Sequence, residues 1–424
     1  MQTMADVKPR KRVVIAGAGF AGLNAAKVFA DLPDVKVDVI DQHNYHLFQP
    51  LLYQVATAGL NPADIAVPIR AQFTKSENID VHLASVQKID LEKKIVTCAS
   101  YDIPYDYLIL ACGAQHSYFG HDEWEPYAPG LKTLEQATEI RRRILTAFET
   151  AEDETNVKKQ QILMTFLVAG GGPTGCELAG AIADISRTVL LKDFRHIDPS
   201  HARVLLVEGG KRLLPSFPED LAQRAEQDLK KLGVEVRTGA MVKRIDAEGV
   251  QVGDEFIPCQ CVFWAAGVEA ARLKMEPPVD MDKNGRIRVQ KDSTLPYYPE
   301  VFVVGDLAAF EKEPGKILPG VSAVAIQSGR HAAENILRSI LGEPMLPFQY
   351  FDKGQMATIG KNHAIAVIGK LKISGYVAWV AWLFVHVFYL VGFKNRIEVM
   401  LLWVWSYAFS KRGSRLITKP EWHT

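Results

Sequence analysis

Two glycine-rich segments of the chain have the spacing that binds the phosphates of a dinucleotide. Both follow the pattern G-x-G-x-x-G, with Gly17, Gly19 and Gly22 in one segment and Gly170, Gly172 and Gly175 in the other. One glycine permits a tight turn, one lets the backbone approach a pyrophosphate, and one lets a helix pack closely on a strand. The N–H groups at the start of that helix point at the phosphates. A chain with two such segments is predicted to hold two dinucleotides at once.

Each glycine segment is paired with a carboxylate at the end of a later strand. The segment at Gly17 follows the apolar strand VVIA and precedes a helix and a second strand that ends at Asp41. The segment at Gly170 is matched by Glu208, which ends VLLVE after an insertion. Because a carboxylate there binds ribose hydroxyls and repels the extra phosphate of NADPH, Glu208 predicts NADH. The alternative is that Arg212, four residues on, binds that phosphate.

A third signal lies downstream, where the β-branched run VFVV leads into Gly305 and Asp306. In flavoproteins with two dinucleotides, an aspartate after such a run bonds the ribityl chain of FAD. A plain turn at the end of a strand is the alternative interpretation of Asp306. The segments YLILACGA and VFWAAGVEA are typical of the connections that close each nucleotide-binding fold.

The predicted fold class is α/β, with two Rossmann-like dinucleotide-binding domains and a C-terminal helical tail that associates with a membrane. The predicted order is an FAD-binding domain in two parts, at 10–120 and 291–350, an NADH-binding domain at 121–290, and the tail at 351–424. A chain of 424 residues is long enough for this organisation.

Composition excludes several function classes. The 49 basic and 49 acidic side chains cancel, so no basic field predicts nucleic acid binding. Five cysteines, an odd number, indicate a reducing compartment and no disulfide framework. The N-terminal segment leads into a strand and not into the apolar core of a signal peptide, so we expect the chain to stay on the cytoplasmic side. We predict no metal site.

The C-terminal part contains two apolar stretches, at 373–393 and 397–409. The first has no Asp, Glu, Lys or Arg and a single histidine, His386. About 20 apolar residues are enough to span a bilayer. The many aromatic residues and the flanking Lys394 and Arg396 favour contact with a membrane, and glycines and His386 weaken a spanning segment. We expect helices that lie on or partly in the surface, with a buried core helix as the alternative.

With these signals the sequence resembles the type II NADH dehydrogenases, the single-subunit, non-proton-pumping NADH:quinone oxidoreductases of the two-dinucleotide-binding flavoprotein superfamily. The resemblance rests on NYHLFQPLLYQVATAGL, GGGPTGCELAGAIAD, VEGGKRLLPSF, PGVSAVAIQSGRHAAENI, DKGQMATIGKNHAIA and the aromatic tail. It implies that FAD takes a hydride from NADH and passes two electrons to ubiquinone or menaquinone. It also implies a peripheral, monotopic protein on the cytoplasmic face of the inner or cell membrane, in contact with the lipid surface and the quinone pool. A homodimer through the C-terminal region stays open.

The resemblance also assigns catalytic roles to Glu177 and Gln327. Glu177 is expected on the first turn of a helix, where its carboxylate delivers a proton or orients the nicotinamide. The plain alternative is an acid that complements the helix dipole. Gln327 matches a family glutamine near the flavin and the quinone, whereas Ala323 replaces a second glutamine, so quinone preference is not carried over.

The residues expected to bind the two dinucleotides complete the prediction. They are Gly17, Gly19, Phe20, Ala21, Gly22, Asp41, Gln42, Gln49, Val86, Ala111, Gly113, Asp306, Ala323, Val324, Gly170, Gly172, Thr174, Gly175, Glu208, Ala266 and Gly267.

Rival enzyme classes make different demands on the sequence. A disulfide reductase needs a redox pair of cysteines after the first carboxylate, and DQHNYHLFQPLLYQ has none. A sulfide:quinone oxidoreductase relays electrons through cysteines near the flavin, but Cys176, Cys259 and Cys261 are interpreted as packing residues. A soluble NADH oxidase or a ferredoxin-type reductase needs no tail, and an NADH-sensing flavoprotein would release electrons slowly.

Overall fold

The structure, a computed structural model, describes residues 10–313, 315–409 and 414–418. Residues 410–413 and 419–424 of the predicted tail lie outside this part of the chain. The chain divides into two compact units, which combine sheets and helices in an α/β fold. The first unit comprises Met1–His46, Val67–Gln115 and Val268–Asp352, and the second comprises Leu47–Ala66, His116–Gly267 and Lys353–Thr424.

A six-stranded sheet forms the centre of the first unit. Its strands lie in the order Thr294–Leu295, Tyr298–Val303, Tyr107–Leu110, Lys11–Ala16, Val35–Asp41 and Ile79–Leu83. All neighbouring strands are parallel except the first pair. The inner strands are nearly continuous runs of buried apolar residues, as expected for parallel strands that are covered on both faces.

One face of this sheet is covered by two helices, Phe20–Val28 and Ser322–Ile340. The helices approach closely, because a Cβ on Gly329 would collide with the backbone of Ala21. The other face packs against a smaller sheet that contains Val86–Asp90. The remaining elements of the first unit are the helix Ile69–Gln72, the single-turn helix Gly305–Leu307 and the strands Ile95–Cys98, Asp102–Pro104, Met275–Glu276, Ile287–Arg288, Ala308–Ala309, Glu311–Glu313 and Lys316–Ile317.

A four-stranded parallel sheet forms the centre of the second unit. Its order is Val234–Thr238, Arg203–Glu208, Thr165–Ala169 and Cys261–Trp264. The long helix Leu134–Asp153 begins at a capping box, in which Thr133 accepts a hydrogen bond from the N–H of Gln136. Other helical elements are Gln49–Leu51, Leu52–Ala56, Pro62–Ile65, Asp122–Trp124, Val157–Leu163, Pro173–Asp184, the π-helical turn Ile185–Val189, Pro199–His201 and Glu219–Lys231. A second sheet contains Val242–Ile245, Gly249–Val252 and Glu255–Pro258.

The C-terminal region begins with a sheet, which the sequence analysis did not predict. Three antiparallel strands, Gln355–Gly360, His363–Ile368 and Leu371–Ser374, form this C-terminal sheet. The helix Pro173–Asp184 packs directly on it, since a Cβ on Gly180 would collide with the carbonyl oxygen of Ile359. Four short strands, Tyr45–Leu47, Ala66–Pro68, Ala114–His116 and Val268–Ala270, lie where the chain passes from one unit to the other.

Two apolar helices, Gly375–Tyr389 and Phe393–Phe409, follow the C-terminal sheet. On the first of them Ala378, Trp379 and Trp382 are buried. None of the helices in the described part of the chain combines the length and the apolar character needed to cross a membrane.

Candidate active site

The first glycine turn, residues 17–22, is closed on its inner side by backbone. Gly17 has φ +98°, a conformation that favours glycine, and a Cβ there would collide with the carbonyl group of Ala111. A Cβ on Gly22 would collide with the carbonyl oxygen of Gly17. A Cβ on Gly19 would meet no described atom within 4 Å. The turn is therefore packed at two glycines and open at the third.

Asp41 ends the strand that follows this turn, as predicted, and its carboxylate binds backbone N–H groups. Oδ2 accepts a hydrogen bond from the N–H of Ala18 at 2.6 Å, and Oδ1 accepts one from the N–H of His43 at 2.8 Å. Each carboxylate oxygen has two lone pairs, so Asp41 keeps acceptor capacity for a ligand. The carboxylate thus lies beside the open turn.

Other predicted residues of the first unit differ in their burial and position. Ala21 is buried and Phe20 is half-buried in the helix that starts after Gly19. Gln42 is exposed, directly after Asp41. Gly113 has φ +71° and open space at its Cβ position. Val86 packs on the opposite face of the central sheet.

Asp306 lines a small open cavity in the first unit. Gly305 and Val324 also line it, and the N–H of Gly305 donates to Oγ of Ser328 at 3.1 Å. A Cβ on Gly305 would lie 3.4 Å from the Cβ of Ala21, in the helix of the glycine turn. The structure thus brings the predicted residues Asp306, Val324 and Ala21 together.

Gln327 uses its amide group to hold the backbone of a neighbouring segment. Its Nε2 donates to the carbonyl oxygens of Phe351 at 3.0 Å and of Ala323 at 3.2 Å. Its Oε1 accepts a hydrogen bond from the N–H of Phe351 at 3.0 Å. Gln327 therefore fixes the chain at Phe351, a role that the sequence analysis did not predict.

The second glycine turn, residues 170–175, repeats the first. Gly170 has φ +113°, and a Cβ there would collide with the backbone at Ala266. A Cβ on Gly175 would collide with the carbonyl oxygen of Gly170, whereas one on Gly172 would meet no described atom within 4 Å. The packed and open glycines occupy the same positions in both turns.

Glu208 ends its strand, as predicted, and binds this second turn. Its Oε2 accepts a hydrogen bond from the N–H of Gly171 at 2.5 Å, and its Oε1 accepts one from the N–H of Gly210 at 2.6 Å. The guanidinium group of Arg212 donates to carbonyl oxygens of its own loop, at 2.8 Å for Pro215 and 2.9 Å for Phe217. The carboxylate therefore lies at the turn, and the arginine is engaged elsewhere.

The remaining predicted residues of the second unit are exposed except for Gly267, which is half-buried. Thr174 and Ala266 are exposed. Gly267 lies under the ring of Phe119, whose Cζ would be 2.6 Å from a Cβ on that glycine. Gln49 is exposed and its Nε2 donates to the carbonyl oxygen of Lys132 at 3.3 Å.

Glu177 lies on the second turn of its helix, not on the first turn as predicted. The helix begins at Pro173, so Glu177 is its fifth residue. Proline is common at the first position of a helix, where the N–H group that it lacks would have no partner in the helix. Because the helix starts at this proline, Glu177 lies more than one turn from its beginning. The dipole of the helix N-terminus therefore acts on Glu177 less than the sequence analysis assumed, since its effect falls off within the first turn.

The surroundings of Glu177 favour its protonated form. Burial raises the pKa of its carboxyl group to about 8, although a hydrogen bond from the N–H of Thr358, at 3.5 Å, acts in the opposite direction. That bond is too long to hold the charged form strongly. Glu177 is thus a carboxyl group that exchanges its proton near neutral pH, which is a property of proton-transfer residues.

All five cysteines carry free thiols, and four of them are buried. Burial raises the pKa of Cys112, Cys259 and Cys261 to about 12 and also raises the pKa of Cys98 and Cys176. A thiol that stays protonated is a poor nucleophile. Their raised pKa values thus disfavour the reactive thiolate that the rival thiol and sulfide enzymes need.

The C-terminal helices are attached to the second unit by a buried aromatic cluster. Nε1 of Trp403 donates to Oε1 of Gln54 at 2.8 Å, and Nε2 of Gln54 donates to the hydroxyl of Tyr53 at 2.9 Å. The ring of Trp382 lies 6.3 Å from Tyr53 and stacks on His386 at 4.1 Å. Burial lowers the pKa of His386 to about 4, so this histidine is neutral at physiological pH.

The outer side of the same helices is exposed and apolar. Phe384 and Phe388 are 71% and 68% exposed, and Val377, Leu401 and Val404 are exposed to a similar extent. Exposed apolar patches of this kind mark interaction sites.

The structure thus places Asp41 beside the first glycine turn and Glu208 beside the second. The contacts of Val86, Gln49 and Gln327 lie elsewhere. It adds Thr358, whose contact with Glu177 joins residues 181 positions apart and left no local signal in the sequence. Among the described residues, no three His, Cys, Asp or Glu side chains are arranged to hold a metal ion.

Comparison with known proteins gives a consistent result. A family model described as pyridine nucleotide-disulphide oxidoreductase matches residues 11–332. The chain is 44% identical to the type II NADH:quinone oxidoreductase Ndh of Mycobacterium tuberculosis, over 97% of this chain and 91% of that protein. It is also 44% identical to NdhA of the same organism, over 96% of this chain and 90% of that protein.

Solved structures show the same fold. NDH2 of Plasmodium falciparum in complex with NADH is similar with a TM-score of 0.87 and 18% identity, covering 97% of this chain and 100% of that one. The sulfide:quinone oxidoreductase of Aquifex aeolicus is similar with a TM-score of 0.72 and 20% identity, covering 91% of each chain.

Proposed function

The chain belongs to the type II NADH:quinone oxidoreductases, within the pyridine nucleotide-disulphide oxidoreductase family, and from this premise we propose which of its residues serve the reaction. It is an FAD-dependent respiratory enzyme that oxidises NADH and reduces a quinone without pumping protons. When bound, FAD would supply the redox chemistry that moves the two electrons of a hydride from NADH to the quinone. The protein supplies binding sites, orientation and proton control.

We propose that the first unit is the Rossmann-like domain for FAD. Gly19 is the open position of its turn, and within the described residues no side chain caps the helix that starts there. The N–H groups of this helix would hold the pyrophosphate. Asp41 would accept hydrogen bonds from the ribose, and Asp306 would bind the ribityl chain in the cavity that it lines. Ala111 and Gly113 would form the wall of the site.

The second unit is proposed to be the corresponding domain for NADH. Gly172 is the open glycine, and the helix after it also lacks a side-chain cap among the described residues. Glu208 would bind the adenosine ribose with its free lone pairs and would repel a 2′-phosphate. Arg212 is held by its own loop and does not offset that repulsion.

One repeated contact carries this assignment. In each turn, the residue after the first glycine donates its N–H to the carboxylate that ends the next strand of the sheet. The distance is 2.6 Å from Ala18 to Asp41 and 2.5 Å from Gly171 to Glu208. The two turns share this contact, and in each of them the space beside the middle glycine is open. This repetition supports the proposal of two dinucleotide sites.

Glu177 and Gln327 are proposed to act in the reaction in different ways. Glu177 would hold and release a proton, since its carboxyl group titrates near neutral pH and accepts one long hydrogen bond. Gln327 would be a positioning residue, which keeps the segment at Phe351 in place. Val324 and Ala323 would contact the cofactor through their backbone.

We further propose that the C-terminal helices bind the lipid surface from the cytoplasmic face and so reach the quinone pool. The exposed phenylalanines of the helix Gly375–Tyr389 would enter the interface, and the exposed Lys394 would contact anionic headgroups. A second copy of the chain is the competing occupant of this apolar face. Light scattering in detergent and in lipid nanodiscs would distinguish the two, because a protein dimer persists in detergent.

An anaerobic titration tests the function as a whole. Purified protein is mixed with NADH, and the flavin absorbance near 450 nm is followed before and after a short-chain quinone is added. Bleaching by NADH and recovery with quinone are expected. A flavin that NADH reduces but quinone does not reoxidise would contradict the assignment as a quinone reductase.

A further inference from the structure

Phe119 combines exposure with an unusual backbone conformation. Its side chain is 66% exposed, and its φ of +54° lies in the left-handed region, which a bulky residue rarely adopts. Such strain persists only where the surrounding structure enforces it, and it is concentrated at ligand sites. Tyr297 shares the exposure and the positive φ, so the position of Phe119 in the second unit must distinguish it.

The surrounding structure holds the segment of Phe119 firmly. The N–H of Ser117 donates to the carbonyl oxygen of Gly267 at 3.2 Å, and Nε1 of Trp264 donates to the carbonyl oxygen of Ser117 at 2.9 Å. The ring of Phe119 meets Trp264 edge-on at 6.2 Å and lies over Gly267. A side chain at position 267 would displace this ring, so the glycine permits the arrangement.

The order of the strands places Phe119 at one end of the second glycine turn. Glu208 ends the strand on one side of Thr165–Ala169, and Trp264 ends the strand on the other side. The glycine turn contacts the segment that follows Trp264, because a Cβ on Gly170 would collide with the backbone at Ala266. A dinucleotide that crosses the turn with its adenosine at Glu208 would direct its other half towards Phe119.

We propose that Phe119 forms an aromatic wall of the NADH pocket and packs against the nicotinamide half of NADH. This inference rests on the proposed NADH site of the second unit. The ring offers an apolar surface to a planar ligand and is already held in place, so little conformational freedom is lost on binding. Phe119 contacts substrate and takes no part in the chemistry.

The experiment compares Phe119→Ala, Phe119→Gly and Phe119→Tyr by steady-state kinetics with NADH and a short-chain quinone. The enzyme is reduced and reoxidised in separate half-reactions, so kcat/KM for NADH and for quinone report them separately. In the alanine and glycine variants, kcat/KM for NADH is expected to fall about threefold to tenfold, with kcat/KM for quinone unchanged. The tyrosine variant is expected to retain the parent value. Glycine adopts a positive φ without strain and alanine does not, so a loss common to both variants is due to the missing ring and not to a change in backbone strain.

Inhibition by AMP, which lacks the nicotinamide half, is measured in the same variants. The inhibition constant of AMP is expected to be the same in the Phe119 variants as in the parent protein. It is expected to rise in Glu208→Ala, because Glu208 is proposed to bind the adenosine ribose. Tyr297→Ala is the matched control, since Tyr297 is 94% exposed with φ +69° but lies in the first unit.

Three results would overturn the inference and leave the function of the enzyme standing. They are an unchanged kcat/KM for NADH in Phe119→Ala, equal losses for NADH and quinone, and an equal effect of Tyr297→Ala. Failure of the parent protein to oxidise NADH would instead refute the proposed function.

Discussion

The carboxylate of Glu177 accepts a hydrogen bond from the backbone N–H of Thr358, a residue 181 positions later in the chain. This contact joins the helix of the second glycine turn to the C-terminal sheet. Because the bond is 3.5 Å long and the carboxyl group is enclosed by protein, the charged form of Glu177 is poorly stabilised. The same residue therefore couples proton binding to folding.

The stability of the protein should depend on pH through Glu177. The pKa of this group is about 8 in the folded protein and near 4.5 in the unfolded chain, so between these values the folded state holds a proton that the unfolded state has lost. Stability should then fall as pH rises from about 4.5 to 8, by an amount on the order of a few kcal/mol. Thermal unfolding of Glu177→Gln against the parent protein measures this, and the variant should gain relative stability across that window.

Glu177→Gln should also lower turnover with quinone about 100-fold and leave FAD bound, because glutamine keeps the hydrogen bond but transfers no proton. Glu149→Gln, at an exposed position on another helix, is the control. Unchanged turnover in Glu177→Gln would remove Glu177 from the reaction.

Alanine substitutions in the first glycine turn should separate folding from FAD binding. Gly22→Ala should reduce the yield of folded protein, since its Cβ would collide with the carbonyl oxygen of Gly17 and cost about 1–3 kcal/mol. Gly19→Ala has open space and should fold normally, but its methyl group would occupy the place of the pyrophosphate. Flavin absorbance per protein and the midpoint of urea unfolding measure the two effects. Full flavin content in Gly19→Ala would contradict the proposal that the pyrophosphate of FAD lies at Gly19.

Replacing Glu208 should change the choice of nucleotide. Glu208→Ala removes two acceptors for ribose hydroxyls and the repulsion of a 2′-phosphate, so KM for NADH should rise about tenfold and the preference over NADPH should shrink. Kinetics with both nucleotides measure the ratio. Arg212→Ala is the comparison, and it should leave the ratio unchanged, because Arg212 binds its own loop. A larger effect of Arg212→Ala on NADPH would contradict this assignment.

The membrane surface proposed for the C-terminal helices can be tested with paired substitutions. Phe384 and Phe388 lie four residues apart on one helix face, and changing both to serine should weaken binding to vesicles at least about tenfold. Activity with a short-chain quinone should persist. Leu341→Ser with Val157→Ser removes equally exposed apolar groups from other surfaces. Co-sedimentation with vesicles that contain anionic lipid measures the binding of both double variants. An equal loss of vesicle binding in the two would argue against a membrane surface on the C-terminal helices.

Thiol alkylation should leave the enzyme active. The pKa values of Cys112, Cys259 and Cys261 are raised to about 12, so very little thiolate forms at pH 8. Iodoacetamide treatment of the native protein, followed by assay and mass spectrometry, is the measurement. Loss of activity that parallels modification of Cys112 would favour a thiol-dependent mechanism.

The two glycine turns could be predicted from the sequence because most of their requirements are local. Gly17 and Gly170 need a positive φ, and Asp41 and Glu208 end strands whose apolar patterns are plain in the chain. The strand ends fix where the carboxylates lie.

Other features depend on distant contacts and could not be predicted. The C-terminal sheet was not predicted, because it packs on the helix Pro173–Asp184, which lies far away in the chain. The pKa of Glu177 is raised by burial that only the folded protein provides, and Arg212 is engaged by carbonyl groups that only the folded loop brings together. The placement of Glu177 on the first helical turn was wrong because Pro173 starts the helix earlier than assumed.

The helix Gly375–Tyr389 has a buried side, with Trp379 and Trp382, and an exposed side, with Phe384 and Phe388. Deleting this helix to obtain a detergent-free preparation would uncover the C-terminal sheet and the partners of Trp382. Polar substitutions confined to its outer side would leave those partners covered. Crystallisation of a water-soluble form should therefore begin from a full-length chain with a redesigned surface, not from a truncated one.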